Sequence, residues 1–247
     1  MDVARTGSSG RHAGVDPELL WSPAERPRRG RPPAYDRATI TAEAVALADT
    51  EGLAAVTMRA VAARIGAGTM SLYSYVPNKE TLLELMIDQV SGEHRLPPEP
   101  SGDWRADLRS IAREQRAIMR RHPWLPAALP ARQTLGPNTL AAVEHTLAVL
   151  APSGLDARAR LETFSLLTGF VASHVTYELA QERAVEATGG TCGELLEAQD
   201  RHLRSVAAAD RYPHLAQALT AAGHDPAPQA VFDRLLERMI NGLTAAP

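Results

Sequence analysis

The sequence predicts an all-α protein, and three observations carry that prediction. Alanine, the best helix former, occurs 43 times in 247 residues. Valine and isoleucine, which favour strands, together occur 20 times. Apolar residues recur at helical spacing in segment after segment, and Gly- and Pro-rich breaks separate those segments.

Composition excludes several classes. There is no run of eighteen or more apolar residues, so no transmembrane helix is expected. The first 25 residues carry Asp2, Asp16, Glu18 and Glu25 and no apolar core, unlike a secretory signal. Cys192 is the single cysteine, which excludes a disulfide framework or a cysteine-built zinc site. The expectation is a soluble, reduced, cytoplasmic protein with no cofactor and no metal.

The elements follow in order. Residues 1–35 read as a disordered arm, rich in Gly, Ser, Pro and Arg. It contains Arg26-Pro27-Arg28-Arg29-Gly30-Arg31-Pro32-Pro33. Helical patterning begins near Asp36, where Ile40, Ala44, Leu47 and Ala48 share one face and Gly52 is the stop. Thr57 is a candidate N-cap for a second helix with Met58, Val61, Ala62 and Ile65 on its buried face. Gly66-Ala67-Gly68 interrupts the pattern, and a short third helix spans about Thr69 to Tyr75. Asn78 caps a fourth, through Leu82, Leu85, Met86 and Val90. The stretch from Ser91 to Asp103 reads as a linker.

Longer helices follow. One runs from Trp104 to near His122-Pro123, with a short segment from Trp124 to Ala131 behind it. Gly136-Pro137 opens a helix to Leu150, and Asp156 caps a long helix through Leu161, Phe164, Thr168, Val175 and Leu179. The region 194–210 reads as helical, Pro213 to Ala222 adds a turn or two, and a last helix carries Phe232, Leu235, Leu236, Met239, Ile240 and Leu243. The domains are therefore an arm (1–35), a small helical domain (36–92) and a larger one (93–247).

The net charge of −3 hides a sharp local asymmetry. Residues 26–35 carry +4 with no acid, whereas 36–92 carry −3. Of the 26 basic residues 25 are arginine, and the one lysine, Lys79, opens the fourth helix. There its ammonium would add to the positive helix end, a natural phosphate clamp.

The informative stretch is Thr57 to Lys79, TMRAVAARIGAGTMSLYSYVPNK. Two short helices around a glycine turn form a helix-turn-helix. Gly66 allows the left-handed backbone of that turn. The second helix buries Leu72 and presents Thr69, Ser71 and Ser74, and base edges are read by such exposed polar groups. Tyr73 and Tyr75 can donate hydrogen bonds to phosphate oxygens.

From the first helix through Leu85 the chain resembles the DNA-binding domain of the tetracycline-repressor (TetR) family of bacterial transcription regulators. The resemblance rests on Ala48…Gly52-Leu53, Thr57-x-Arg59, Val61-Ala62-x-x-Ile65-Gly66, Leu72-Tyr73-x-Tyr75-Val76 and Asn78-Lys79. Less specifically, Arg121-His122-Pro123-Trp124, Gly136-Pro137-Asn138 and the long helix after Pro152 resemble the family's ligand domain.

That resemblance implies an N-terminal three-helix DNA-binding domain and a larger ligand-binding and dimerisation domain. It implies a homodimer through helices at about 156–186 and 228–243, double-stranded operator DNA as partner, and a small-molecule effector. Arg59 would reach a guanine edge, Thr69 and Met70 would lie on base edges, and Ser74 would face bases. Thr57, Ser71, Tyr73, Tyr75 and Lys79 match positions that hold phosphates. Met70 departs from the polar or proline residue often found there and offers apolar contact instead. Arg29-Gly30-Arg31-Pro32 resembles the core of an AT-hook, so Arg29 and Arg31 would enter a narrow A·T minor groove.

Gln115, Met119, His122, His145, Phe164, Thr168, His174 and Tyr177 are the candidate ligand-pocket residues. The plainer reading of each is packing or hydrogen bonding inside a helical bundle, and no pair has metal-ligand spacing. Ser165, Gly169 and Ser173 recur every four residues on the long helix, where another helix can approach closely. The function expected is a ligand-responsive repressor. The alternative is a constitutive, architectural DNA-binding protein without an effector. An enzyme is not expected, because no nucleophile elbow, P-loop, HExxH or Glu-x-x-His pair is present.

Overall fold

The computed structural model describes residues 20–21, 35–95, 97–129, 136–188, 201–205, 212–221 and 228–243. Among them there is no strand, as the alanine-rich composition predicts. No helix is long and apolar enough to cross a membrane. The chain divides into two compact units, Met1–Glu93 with Ala131–Ala142, and His94–Pro130 with Val143–Pro247. The sequence places one boundary at 92/93 and does not foresee the return of 131–142 to the first unit.

In the first unit, α1 (Arg37–Glu51) starts where the Asp36 carboxylate accepts from Thr39 N at 2.8 Å. Those hydrogen bonds hold the Asp36 carboxyl below its ordinary range. Ile40, Ala44, Leu47 and Ala48 are buried, the stripe read from the sequence. α2 (Met58–Arg64) is capped by Thr57, whose hydroxyl oxygen accepts from Ala60 N at 3.1 Å. Gly66 follows with φ 67°, a left-handed turn closed to side chains without strain. α3 (Thr69–Leu72) is only four residues long, shorter than the expected span to Tyr75. α4 (Lys79–Ser91) is capped by Asn78, which accepts from Thr81 N at 2.7 Å. Leu82, Met86, Ile87 and Val90 of α4 are fully buried with Val61, Leu72 and Val76.

Residues 1–35 were expected to hold no packed element. Leu20 and Trp21 correct that locally, since both are helical and Leu20 is 5% exposed. The Arg37 guanidinium donates to Leu20 O at 3.0 Å and so ties this apolar anchor to the start of α1.

The start of α7 (Pro137–Val149) also belongs to the first unit. Its first turn has backbone N–H groups without intrahelical partners. Asp88 of α4 supplies one: its carboxylate accepts from Thr139 N at 2.9 Å and from Asn138 Nδ2 at 3.1 Å. Asp88 is 4% exposed, so these bonds offset the cost of burying its charge. Gly136 is required for the approach, because a Cβ there would stand 2.2 Å from the Asp88 carboxyl carbon.

In the second unit, α5 (Trp104–Arg121) is capped by Asp103, which accepts from Arg105 N and Ala106 N at 3.1 Å each. The long α8 (Ala157–Thr188) packs against both α5 and the short α6 (Leu125–Ala128). Asp156 caps α8 through Ala159 N at 2.8 Å. α9 (Pro213–Ala221) and α10 (Pro228–Gly242) follow.

Arg109, Arg113 and Arg116 of α5 meet Glu237, Asp233 and Gln229 of α10 in turn, so the two helices run antiparallel. Phe232, Leu236 and Ile240 of α10 are buried beneath this row. Leu235, expected on the same face, is 36% exposed. The apolar residues of α10 thus divide between the interior and the surface, because a stripe at i, i+3, i+4 is wider than one contact.

Candidate nucleic-acid interface

The reading head of the first unit is built from α2, the Gly66 turn and α3. Leu72 is fully buried and fixes α3 by its apolar face. Ser71, Tyr73 and Ser74 are exposed, Met70 is 81% exposed, and Thr69 is half-buried. Arg59 stands exposed on the first turn of α2. Lys79 is the first residue of α4, beside its Asn78 cap. Neither Arg59 nor Lys79 has an ion pair among the described residues, whereas Arg64 is bound to Glu43 at 3.1 Å. An unpaired cation at a helix start can neutralise phosphate without first breaking a bond.

Some predicted contact residues already have partners. Thr57 uses its hydroxyl oxygen as the α2 cap and keeps its proton for donation. Ser74 turns its hydroxyl to Ser71 O at 2.7 Å. Tyr75 is half-buried, with its ring edge-on to Tyr35, centroids 5.4 Å apart at 64°. Arg29 and Arg31 lie outside the described residues.

The sequence reading missed Tyr35 and Arg37. The Tyr35 hydroxyl lies 2.5 Å from Ser71 Oγ, and Arg37 Nε donates to Tyr75 O at 3.3 Å. Both partners are more than thirty residues away in sequence, so no local pattern marks them.

In the second unit the candidate pocket residues separate. Gln115 and Met119 of α5 are buried, and Gln115 Nε2 donates to Thr168 Oγ1 of α8 at 3.4 Å. Gln115 Oε1 is buried and has no hydrogen-bond partner among the described residues. His122 is buried and edge-on to Trp124, centroids 6.2 Å apart. His145 and Phe164 are half-buried.

His174 joins an ionic cluster instead. Its Nε2 lies 3.2 Å from Glu178 Oε1, and its ring packs beside the stacked rings of Phe170 and Phe232. Glu178, 7% exposed, also accepts two bonds from Arg116, at 2.6 and 3.1 Å, and one from Arg120 at 3.2 Å. Burial pushes the Glu178 carboxyl up, but the Arg116 hydrogen bond and the charges of Arg116, His174 and Arg120 outweigh it. The net shift is downward. Tyr177 is 60% exposed and hydrogen-bonded to Gln181. No group of three or more metal-ligating side chains occurs among the described residues.

Two family models match the chain. Residues 40–86 match the family model described as bacterial regulatory proteins, tetR family. Residues 96–246 match the tetracyclin repressor-like C-terminal domain. A transcriptional repressor of Streptomyces coeruleorubidus, DrrR1, is 40% identical over 200 residues, covering 81% of this chain and 74% of that protein. An HTH-type transcriptional regulator of Saccharopolyspora erythraea is 34% identical over 93% of this chain and 92% of its own length. Among solved structures, apo ActR from Streptomyces coelicolor superposes with a TM-score of 0.73 at 26% identity, over 85% of this chain and 95% of that one. ActR in complex with actinorhodin gives 0.70 at 28% identity, over 85% and 96%. With its N-terminal reading head and its larger helical unit both matched, the chain belongs to the TetR family of bacterial transcriptional regulators.

Proposed function

We propose that this regulator is a homodimeric, cytoplasmic repressor that leaves its operator when a small molecule occupies the second unit. The observation that carries the reading is the exposed α2–α3 head, where Arg59, Met70, Ser71 and Tyr73 stand out around the buried Leu72. Thr69, Met70 and Ser74 face base edges with Arg59. Thr57, Ser71, Tyr73, Tyr75 and Lys79 hold the backbone, and Arg29 and Arg31 enter the adjoining minor groove.

Dimerisation through α8 and α10 is supported by the outer face of α8. There Leu161, Leu166 and Tyr177 are exposed beside Ser165, Gly169 and Ser173. A Cβ at Gly169 would meet nothing within 4 Å, so a second helix has room to approach. Two heads so joined read half-sites about one helical turn apart, roughly 34–36 Å.

An effector shifts the protein off DNA only if it binds the released geometry more tightly than the DNA-bound one. Gln115, Met119 and Thr168 are the residues offered to it, and actinorhodin, bound by the similar ActR, is the first compound to try. The test is a gel-shift titration of purified protein on the DNA flanking its own gene. Binding that weakens with salt, and again with ligand, is expected. Binding that no screened ligand weakens points to a constitutive DNA-binding protein.

A further inference from the structure

α3, the helix that meets the base edges, has four residues and no side-chain cap at Gly68. A single turn fixes several dihedrals for very few hydrogen bonds, so such a helix needs support from outside itself. Leu72 provides it below. On the exposed side the support comes from the two residues that flank the Asp36 cap of α1.

Arg37 Nε donates to Tyr75 O at 3.3 Å, just beyond the helix, and its Nη1 donates to Leu20 O at 3.0 Å. The Tyr35 ring lies edge-on to the Tyr75 ring, and the Tyr35 hydroxyl reaches Ser71 Oγ at 2.5 Å. Because Asp36 is locked to Thr39 N and to Thr39 Oγ1, each at 2.8 Å, its neighbours Tyr35 and Arg37 start from fixed backbone.

We propose that Tyr35 is a positioning residue for DNA recognition: its phenolic proton goes to Ser71 Oγ and leaves the serine proton for a phosphate oxygen. A phenol, with a pKa near 10, is the better donor of the two hydroxyls. Ser71 Oγ makes no other hydrogen bond among the described residues, so its own proton remains available. A hydroxyl that accepts one hydrogen bond gives a stronger second one, and its rotation is held by the first. The inference rests on the reading of Ser71 as a phosphate contact.

A duplex selected from a random-sequence pool by the wild-type protein is the probe. Its affinity is measured for wild type, Tyr35→Phe, Ser71→Ala and the double variant, with Tm recorded for each. Tyr35→Phe keeps the ring on Tyr75 and removes only the hydroxyl. The expected result is roughly five-fold weaker binding for each single variant, no further loss in the double, and an unchanged Tm. Wild-type affinity in Tyr35→Phe overturns the proposal. So does a loss that persists at full size in the Ser71→Ala background, because Tyr35 would then act without Ser71. Enrichment of no duplex overturns the DNA-binding reading and this one with it.

Discussion

The two units treat their charged side chains in opposite ways. In the second, arginines are matched to carboxylates: Arg109 with Glu237, Arg113 with Asp233, Arg116 with Glu178, and Arg120 with Glu178 and Glu182. In the first, Arg59 and Lys79 stand on helix starts with no ion pair among the described residues. The second unit uses arginine to join α5, α8 and α10, whereas the first, although it pairs Arg64 with Glu43, leaves unpaired the two cations proposed to meet DNA. The difference can be tested by asking which charges cost stability and which cost only binding.

The largest expected effect is at Glu178. Its removal leaves Arg116, 14% exposed at the side chain, without the two-oxygen acceptor that offsets its burial. Glu178→Leu should lower unfolding stability by about 3–5 kcal/mol, read by urea denaturation. Adding Arg116→Met removes the stranded charge and should recover much of the loss. If the single variant unfolds like wild type, the cluster does not hold the second unit together.

Acid tests the same cluster without mutation. The Glu178, Asp233 and Glu237 carboxyls are all held below their ordinary values, Glu178 and Asp233 despite burial and Glu237 mainly by its Arg109 hydrogen bond. A carboxylate with a lowered folded pKa contributes stability that is complete above its unfolded pKa. That contribution is lost as pH falls through the folded value. Tm should therefore be flat near neutrality and fall below about pH 4. In Glu178→Leu the acid fall should be shallower.

Steric fit gives the next effect, and it lies in the first unit. Gly136→Ala would set a Cβ 2.2 Å from the Asp88 carboxyl carbon. Either Asp88 gives up its bonds to Thr139 N and Asn138, or the backbone shifts. A cost of about 1–3 kcal/mol is expected by thermal or chemical denaturation, as for an overpacked core. An unchanged midpoint would mean that the start of α7 yields without loss.

These sites also show what the sequence could reveal. The caps Thr57, Asn78 and Asp156 were readable because a cap acts within three residues of itself. The helix-turn-helix was readable for the same reason, since Gly66, Leu72 and Lys79 all lie in one short stretch. Glu178 was not, because its arginines lie about sixty residues back, on another helix. Asp88 was hidden in the acids of α4, and Tyr35 in an arm read as unstructured. Their partners are 50, 51 and 36 residues away, and no period in a chain encodes such distances.

Smaller in stability, though not in function, are the unpaired cations. Arg59→Ala should leave Tm within the range of an ordinary surface change, about 0.5 kcal/mol. Its affinity for the selected duplex should fall by about 1–3 kcal/mol, with preference relaxed at one guanine. Equal loss on every sequence would instead make Arg59 a backbone contact.

Lys79→Ala should be the quietest change in the fold and the most diagnostic in salt. Lys79 is half-buried at the start of α4, that start is set by the Asn78 cap, and the ammonium joins no ion pair among the described residues. Its loss therefore removes no intramolecular partner. On DNA each phosphate neutralised releases about one counterion, so the slope of log affinity against log salt should shrink by roughly one unit per subunit that makes the contact. In a dimer the decrease should approach about two units. An unchanged slope with lowered affinity would place Lys79 away from the phosphates. It would also break the contrast between the units, because the one lysine of the chain would then be no more than a helix-start charge.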